Sequence, residues 1–225
     1  MSTAIGYRTL AAIAAVLTLM GCDISIDGDG NGNTKVNGSV HVTAGQPASD
    51  ARTVNGSVHV DDNAAVNSAT TVNGSVRLGA HATAASMKTV NGAISLGDSA
   101  RVSGKASSVN GDLTLGNNSE VAGSLTNVNG KISLSSAHVA GGISTVNGNI
   151  NIMGTSHVEG GILVEKPNSI MFNSEDPVIV IGPGAVIQGE MKFERKVKLY
   201  VSDKATIGTV TGATPIPFSG ETPPN

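Results

Sequence analysis

Few side chains in this sequence could carry out chemistry, and the histidines are the first to consider. A histidine can act as a general base towards a hydroxyl or an amine. His41 and His59 stand at the same position of two successive repeats, where the next repeat has Arg77. A position that exchanges histidine for arginine is typical of a solvent-facing strand, and none of the histidines lies in a long insertion. The five are His41, His59, His81, His138 and His157.

Other catalytic and ligand-binding patterns are missing from the sequence. It has no Gly-x-Ser-x-Gly nucleophile turn, no phosphate-binding loop and no motif of clustered cysteines and histidines. Asp61 and Asp62 are adjacent, so on a strand their carboxylates point to opposite faces and cannot work as a pair. The sequence therefore predicts a protein that is not an enzyme, with no catalytic, cofactor-binding or metal-binding residue and no cofactor.

The dominant pattern in the sequence is a repeated Val-Asn-Gly. Its copies are spaced by 18, 18, 18, 19, 19 and 18 residues. A unit this short cannot bury its own apolar face, so it must stack on its neighbours as one turn of a solenoid. The copies begin at Val36, Val54, Val72, Val90, Val109, Val128 and Val146.

Each repeat divides into three segments of six residues. In the second repeat these open at Val54, Val60 and Val66, and apolar residues alternate with polar ones. Alternation with a period of two indicates strands. The prediction is an all-β fold, a triangular single-strand parallel β-helix (a β-solenoid) with coils of 18–19 residues. The extra residue of the longer coils is expected near Ser108 and Asn127, at a corner that can bulge.

Stacking explains the asparagine of the motif. In-register asparagines would lie one above another, with side-chain amides hydrogen-bonded along the axis. The glycine that follows each asparagine is then expected to adopt positive φ. The alternative is that Asn-Gly is simply a turn dipeptide. The predicted ladder consists of Asn37, Asn55, Asn73, Asn91, Asn110, Asn129 and Asn147.

The N-terminus has the features of an export signal. Arg8 supplies a positive charge, and an apolar run follows that is too short for a membrane span. The stretch from Leu19 to Cys22 resembles the lipobox of bacterial lipoproteins, which implies that residues 1–21 are removed and that Cys22 carries the lipid. Cys22 is the only cysteine. Asp23 leaves open whether the anchor lies in the inner or the outer membrane.

Residues 22–34 are predicted to combine the lipidated cysteine with a flexible linker, because they are rich in Asp, Gly and Asn. An alternative is a calcium loop, since Asp27, Asp29 and Asn31 match the opening of an EF-hand loop. The glutamate that should close such a loop is replaced by Gly38.

The predicted solenoid has a regular and a divergent part. The regular Val-Asn-Gly coils cover 35–164, divergent C-terminal coils and a cap cover 165–212, and a proline-rich loose tail covers 213–225.

Val-Asn-Gly repeats behind a lipobox resemble the adhesin-type β-solenoid families of bacteria. The segment from Ile181 to Gly189 is similar to coils of bactofilins, which are polymer-forming scaffold proteins. The resemblance implies a right-handed helix and end-to-end association. Coils of three hexapeptides are also a feature of hexapeptide acyltransferases, which remain a remote alternative.

Function is predicted from the anchor and the solenoid together. The chain is expected to be a structural or adhesin-like scaffold of the bacterial cell envelope, attached to a membrane through its lipid and facing an unknown envelope or surface partner. A self-assembling homo-oligomer is the alternative. Seven acids and six bases between Val36 and Val164 give no electrostatic footprint for nucleic acid.

Overall fold

A computed structural model describes residues 33–167 and 175–224. These residues form 26 β-strands and no helix, so none of them belongs to a helix that could span a membrane. The proposed signal peptide, Cys22 and the Asp27–Asn31 segment lie outside the described residues. The first thirteen strands are β1 (Asn33–Asn37), β2 (Val40–Val42), β3 (Ala51–Asn55), β4 (Val58–Val60), β5 (Ala65–Asn73), β6 (Val76–Leu78), β7 (Thr83–Lys88), β8 (Ile94–Leu96), β9 (Arg101–Val102), β10 (Ala106–Ser107), β11 (Leu113–Leu115), β12 (Glu120–Val121) and β13 (Leu125–Thr126). The others are β14 (Ile132–Ser135), β15 (His138–Val139), β16 (Ile143–Thr145), β17 (Ile150–Met153), β18 (His157–Val158), β19 (Ile162–Val164), β20 (Val178–Ile181), β21 (Val186–Ile187), β22 (Met191–Phe193), β23 (Lys198–Ser202), β24 (Thr206–Ile207), β25 (Val210–Thr211) and β26 (Ile216–Phe218).

The strands stack in parallel into a β-solenoid of about ten turns. Face A is a ten-stranded sheet in the order β2-β4-β6-β8-β11-β14-β17-β20-β23-β26. Face B runs from β9 through β12, β15, β18 and β21 to β24, and face C from β10 through β13, β16, β19 and β22 to β25. Faces B and C join in β7, whose first half pairs with β9 and whose second half pairs with β10. The predicted all-β parallel solenoid is confirmed, and its right-handed sense stays a prediction.

The core is a column of aliphatic side chains. In the three-residue face A strands from β2 to β11 the two flanking residues are buried and the middle one points outwards, as with Val58 and Val60 on either side of His59. In β14, Ile132 and Leu134 are at most 1% exposed. The alternation of apolar and polar residues therefore selects which side of each strand faces the core.

The extra residue of the longer coils lies at a different corner from the one predicted. Ala84 pairs with Val102, and Met87 pairs with Ala106. The first residues of these pairs are three positions apart in the sequence, whereas their partners in the next coil are four positions apart. The insertion therefore falls between faces B and C, within 103–105, and not near Ser108. The next coil repeats it within 122–124, between the residues that pair with Val102 and Ala106. The extra residue fits at this corner without breaking the stack, because backbone hydrogen bonds between coils continue through it, as from the Gly104 N–H to the Ala85 carbonyl.

The seven motif asparagines form a continuous hydrogen-bonded ladder. Each side-chain amide from Asn55 onwards donates to the Oδ1 of the asparagine one coil earlier, at 2.8–3.0 Å. The ladder ends at Asn147, whose Oδ1 accepts a 2.6 Å hydrogen bond from Arg195 Nη1. An arginine 48 residues away thus terminates the stack.

The motif glycines are required mainly by close approach between coils. Positive φ was expected throughout, and Gly38 (φ 101°) and Gly130 (φ 121°) have it, whereas Gly56 and Gly92 do not. At Gly92, an added Cβ would collide with the carbonyl of Gly74 in the coil below. The same collision recurs along the motif, so backbone stacking selects glycine even where φ does not.

The C-terminus is more ordered than predicted. The sequence indicated a loose tail over 213–225, but Ile216–Phe218 form β26, the last strand of face A. Phe218 is buried, and its carbonyl accepts a hydrogen bond from the Asp203 backbone N–H. Burial of this aromatic ring offsets the cost of ordering the segment, which proline composition alone could not reveal.

Candidate functional site

Two clusters of histidine and carboxylate side chains stand out on the solenoid surface. The first contains His41, His59 and Asp61, and the second contains His138, His157 and Glu159. In each cluster one ligand-type atom per residue lies within 4.8 Å of the other two. Imidazole nitrogen and carboxylate oxygen are common ligands of zinc and related ions.

Coil stacking explains why both clusters form. His41 pairs with His59 on face A, and His138 pairs with His157 on face B, so the two rings of each pair lie one rung apart. The carboxylate is two residues after the second histidine in both cases. Two residues along a strand return the side chain to the same face, so three ligand-type groups point outwards together.

The first cluster is held together by its carboxylate. Asp61 Oδ1 lies 2.5 Å from His41 Nε2 and 3.3 Å from His59 Nε2. The two rings meet edge to face, with centroids 5.0 Å apart. Both imidazoles therefore already have an acidic partner, and all three side chains are at least one-third exposed.

The second cluster is less completely paired. His138 Nε2 lies 2.9 Å from Glu159 Oε1. The rings of His138 and His157 are stacked, with centroids 5.4 Å apart and an angle of 28° between their planes. The Nε2 atom of His157 is buried and has no hydrogen-bond partner among the described residues. This nitrogen is the unusual feature, because buried polar atoms are normally paired.

An open recess of about 370 Å³ lies beside the second cluster. Leu134 pairs with Leu115, and His138 pairs with Glu120. The corner between faces A and B therefore spans four sequence positions in this coil and five in the previous coil. The corner of the following coil again has five, so the short corner lies between two longer ones. The recess is lined by the cluster and by Asn118, Ser119, Glu120, Ser136, Ala137 and Thr155.

Charge continues along face B beyond the recess. Glu120 is the rung neighbour of His138 on one side and of Arg101 on the other. Its Oε2 contacts Arg101 Nη1, so the negative charge of Glu120 is paired at the edge of the recess.

Shifted pKa values occur away from both clusters. A hydrogen bond from Ser68, assisted by Arg52, holds the pKa of Asp50 below its usual value. Burial, followed by the charge of Lys105, lowers the pKa of Lys88. Burial, followed by the charge of Glu194, raises the pKa of Glu165. These groups belong to separate surface interactions and do not converge on one site.

The sequence-predicted site residues have different outcomes. Cys22 lies outside the described residues, and His81 lies on a turn with φ 57° and belongs to neither cluster. Neither cluster was predicted from the sequence, because the histidines of each are one coil apart and match no short motif. A signal was available: a histidine, a second histidine one repeat later, and an acid two residues after that.

Comparisons with protein-family models, with curated proteins and with solved structures find no match to this chain.

Proposed function

We propose that this chain is a non-enzymatic scaffold of the bacterial cell envelope, anchored to a membrane by lipid on Cys22. The observation that carries the proposal is the uninterrupted stack of about ten coils, which holds flat outward faces in fixed register. Such a surface suits a structural or adhesin-like contact with an envelope protein or a surface partner. The described core is a column of buried, mainly aliphatic side chains, which supports a structural role.

The lipobox-like segment supports attachment close to the membrane. The first strand begins at Asn33, eleven residues after Cys22, so the anchor and the solenoid are separated by a short polar linker. A lipid with several acyl chains holds a protein firmly, at about 0.8 kcal/mol per buried methylene.

A monomeric scaffold is favoured over the self-assembling, bactofilin-like alternative by the C-terminal end. Pro215 and Pro217 remove two backbone donors from the segment that forms the last strand of face A. Proline on an edge strand opposes pairing with another chain. The apolar run Val178–Ile181 lies inside face A between β17 and β23, so it is not an exposed edge.

Cell fractionation tests the anchor. The full-length chain, expressed in a Gram-negative bacterium, is expected to sediment with membranes and to resist a high-salt wash. The Cys22→Ser variant, which removes only the sulfur that carries the lipid, is expected in the soluble fraction. Equal partition of both proteins would refute lipid anchoring.

Light scattering tests the scaffold against the polymer. The Cys22→Ser chain is expected to have the mass of a monomer at all concentrations. A polymer that grows with concentration would favour the alternative. The Val36→Lys variant changes an exposed residue of the N-terminal strand β1. If this variant abolished the polymer, the polymer would be assigned to end-to-end stacking.

A further inference from the structure

We propose that His138, His157 and Glu159 bind a divalent transition-metal ion of the zinc class, with one coordination position open to the recess. This inference goes beyond the scaffold function and does not depend on the lipid anchor. It concerns a binding site for an inorganic ion, and the three protein ligands come from two adjacent coils of face B.

The spacing of the ligand atoms suits zinc. Bonds of about 2.0–2.2 Å to nitrogen and oxygen in a tetrahedral site place neighbouring ligand atoms about 3.4 Å apart. His138 Nε2 and Glu159 Oε1 are 2.9 Å apart, and all three ligand atoms lie within 4.8 Å of one another. Small side-chain rotations therefore suffice, and the backbone rungs already hold both imidazoles on the same side of face B.

The unpartnered nitrogen distinguishes this cluster from an ordinary surface ion pair. A metal ion would supply the partner that the buried Nε2 of His157 lacks among the described residues. The ion would also bind Glu159 Oε1, which now lies beside His138 Nε2. Burying a polar atom without a partner is unfavourable, and binding of the ion would remove that cost.

The recess provides the remaining coordination position. Two histidines and one glutamate leave a fourth position, which water occupies in zinc sites of this composition. Ser136 and Thr155 line the recess, and their hydroxyl groups can hydrogen-bond such a water. Glu120 adds negative charge beside the site, although Arg101 pairs with it.

The cluster of His41, His59 and Asp61 serves as an internal comparison. There Asp61 lies beside both imidazoles, and no buried nitrogen is left without a partner. An ion would have to displace both of these contacts. We therefore expect the second cluster to bind the ion more tightly than the first.

The experiment is titration of the full-length chain with Zn²⁺ by calorimetry, with Co²⁺ as a spectroscopic probe of tetrahedral coordination. One ion per chain is expected to bind tightly and to raise the melting temperature. His157→Ala and Glu159→Gln should each weaken binding by about 100-fold or more, since loss of an outer-shell partner alone costs roughly 10–100-fold. Glu159→Gln changes an exposed side chain with little change of shape, so it remains informative if His157→Ala fails to fold.

The matched control is His41→Ala, which disrupts the first cluster and leaves the recess intact. Tight binding that survives His41→Ala but not Glu159→Gln supports the proposal. Tight binding lost only in His41→Ala would assign the ion to the first cluster and overturn it. Absence of saturable binding in the parent chain would overturn it as well.

Discussion

Removal of one interior rung of the asparagine ladder should destabilise the solenoid measurably. In Asn91→Ala, the Nδ2 donor to Asn73 and the Oδ1 acceptor from Asn110 are both lost, and each of these hydrogen bonds is 2.9 Å long. A protein hydrogen bond contributes about 0.5–1.5 kcal/mol net, so two of them predict a loss of about 1–3 kcal/mol in the free energy of unfolding.

The end of the ladder supplies the comparison. Asn37→Ala removes only the 3.0 Å hydrogen bond from Asn55, and it lies in the first coil, so about half the loss is expected. Ser95→Ala, at the outward-facing middle position of β8, is the control for a surface substitution and should change stability by less than about 0.5 kcal/mol.

Urea unfolding followed by circular dichroism measures all three variants. The predicted order of destabilisation is Asn91→Ala, then Asn37→Ala, then Ser95→Ala. If Asn91→Ala were no less stable than the Ser95→Ala control, the asparagine ladder would be a by-product of coil stacking and would not stabilise the solenoid.

Two further predictions concern stacking and charge. Gly92→Ala should lower the melting temperature more than Gly45→Ala, because the added Cβ at residue 92 would meet the Gly74 carbonyl. At residue 45 the added Cβ would meet nothing within 4 Å, and only the backbone conformation at φ 79° would be strained. Equal losses would contradict the steric argument. Glu165→Gln should raise the melting temperature at neutral pH, because the pKa of Glu165 is raised, first by burial and then by Glu194, so its ionised form opposes folding. This gain should disappear as the pH falls below the unfolded-state pKa of about 4.3, and a gain independent of pH would refute the electrostatic cause.

The sequence was sufficient for the fold because the repeat encodes both stacking and alternation. A period of 18–19 residues with apolar positions two apart leaves a parallel solenoid as the consistent solution, and the Val-Asn-Gly register predicts which asparagines meet. The sequence could not place the inserted residue, since the spacing of the Val-Asn-Gly copies is the same whichever corner accepts it. The structure locates it between Val102 and Ala106.

The candidate metal site could be predicted only once the coil register was known. His138 and His157 are 19 residues apart, and their approach depends on the rung that pairs them. The recess depends in addition on the shortened corner before His138. That corner has one residue fewer than the corner of the previous coil, so it hardly changes the spacing of the Val-Asn-Gly copies. Arg195, which terminates the asparagine ladder, follows no repeat pattern and could not be assigned a partner from sequence.

We propose that this solenoid is tethered to a bacterial membrane through Cys22. The intact mass of the full-length chain, after extraction from the membranes of a bacterial host, tests this proposal. We expect a protein that begins at Cys22 and carries the additional mass of diacylglycerol on that residue, with or without a further acyl chain on its amino group. A chain that retains residues 1–21, or one that begins elsewhere with an unmodified cysteine, would contradict it.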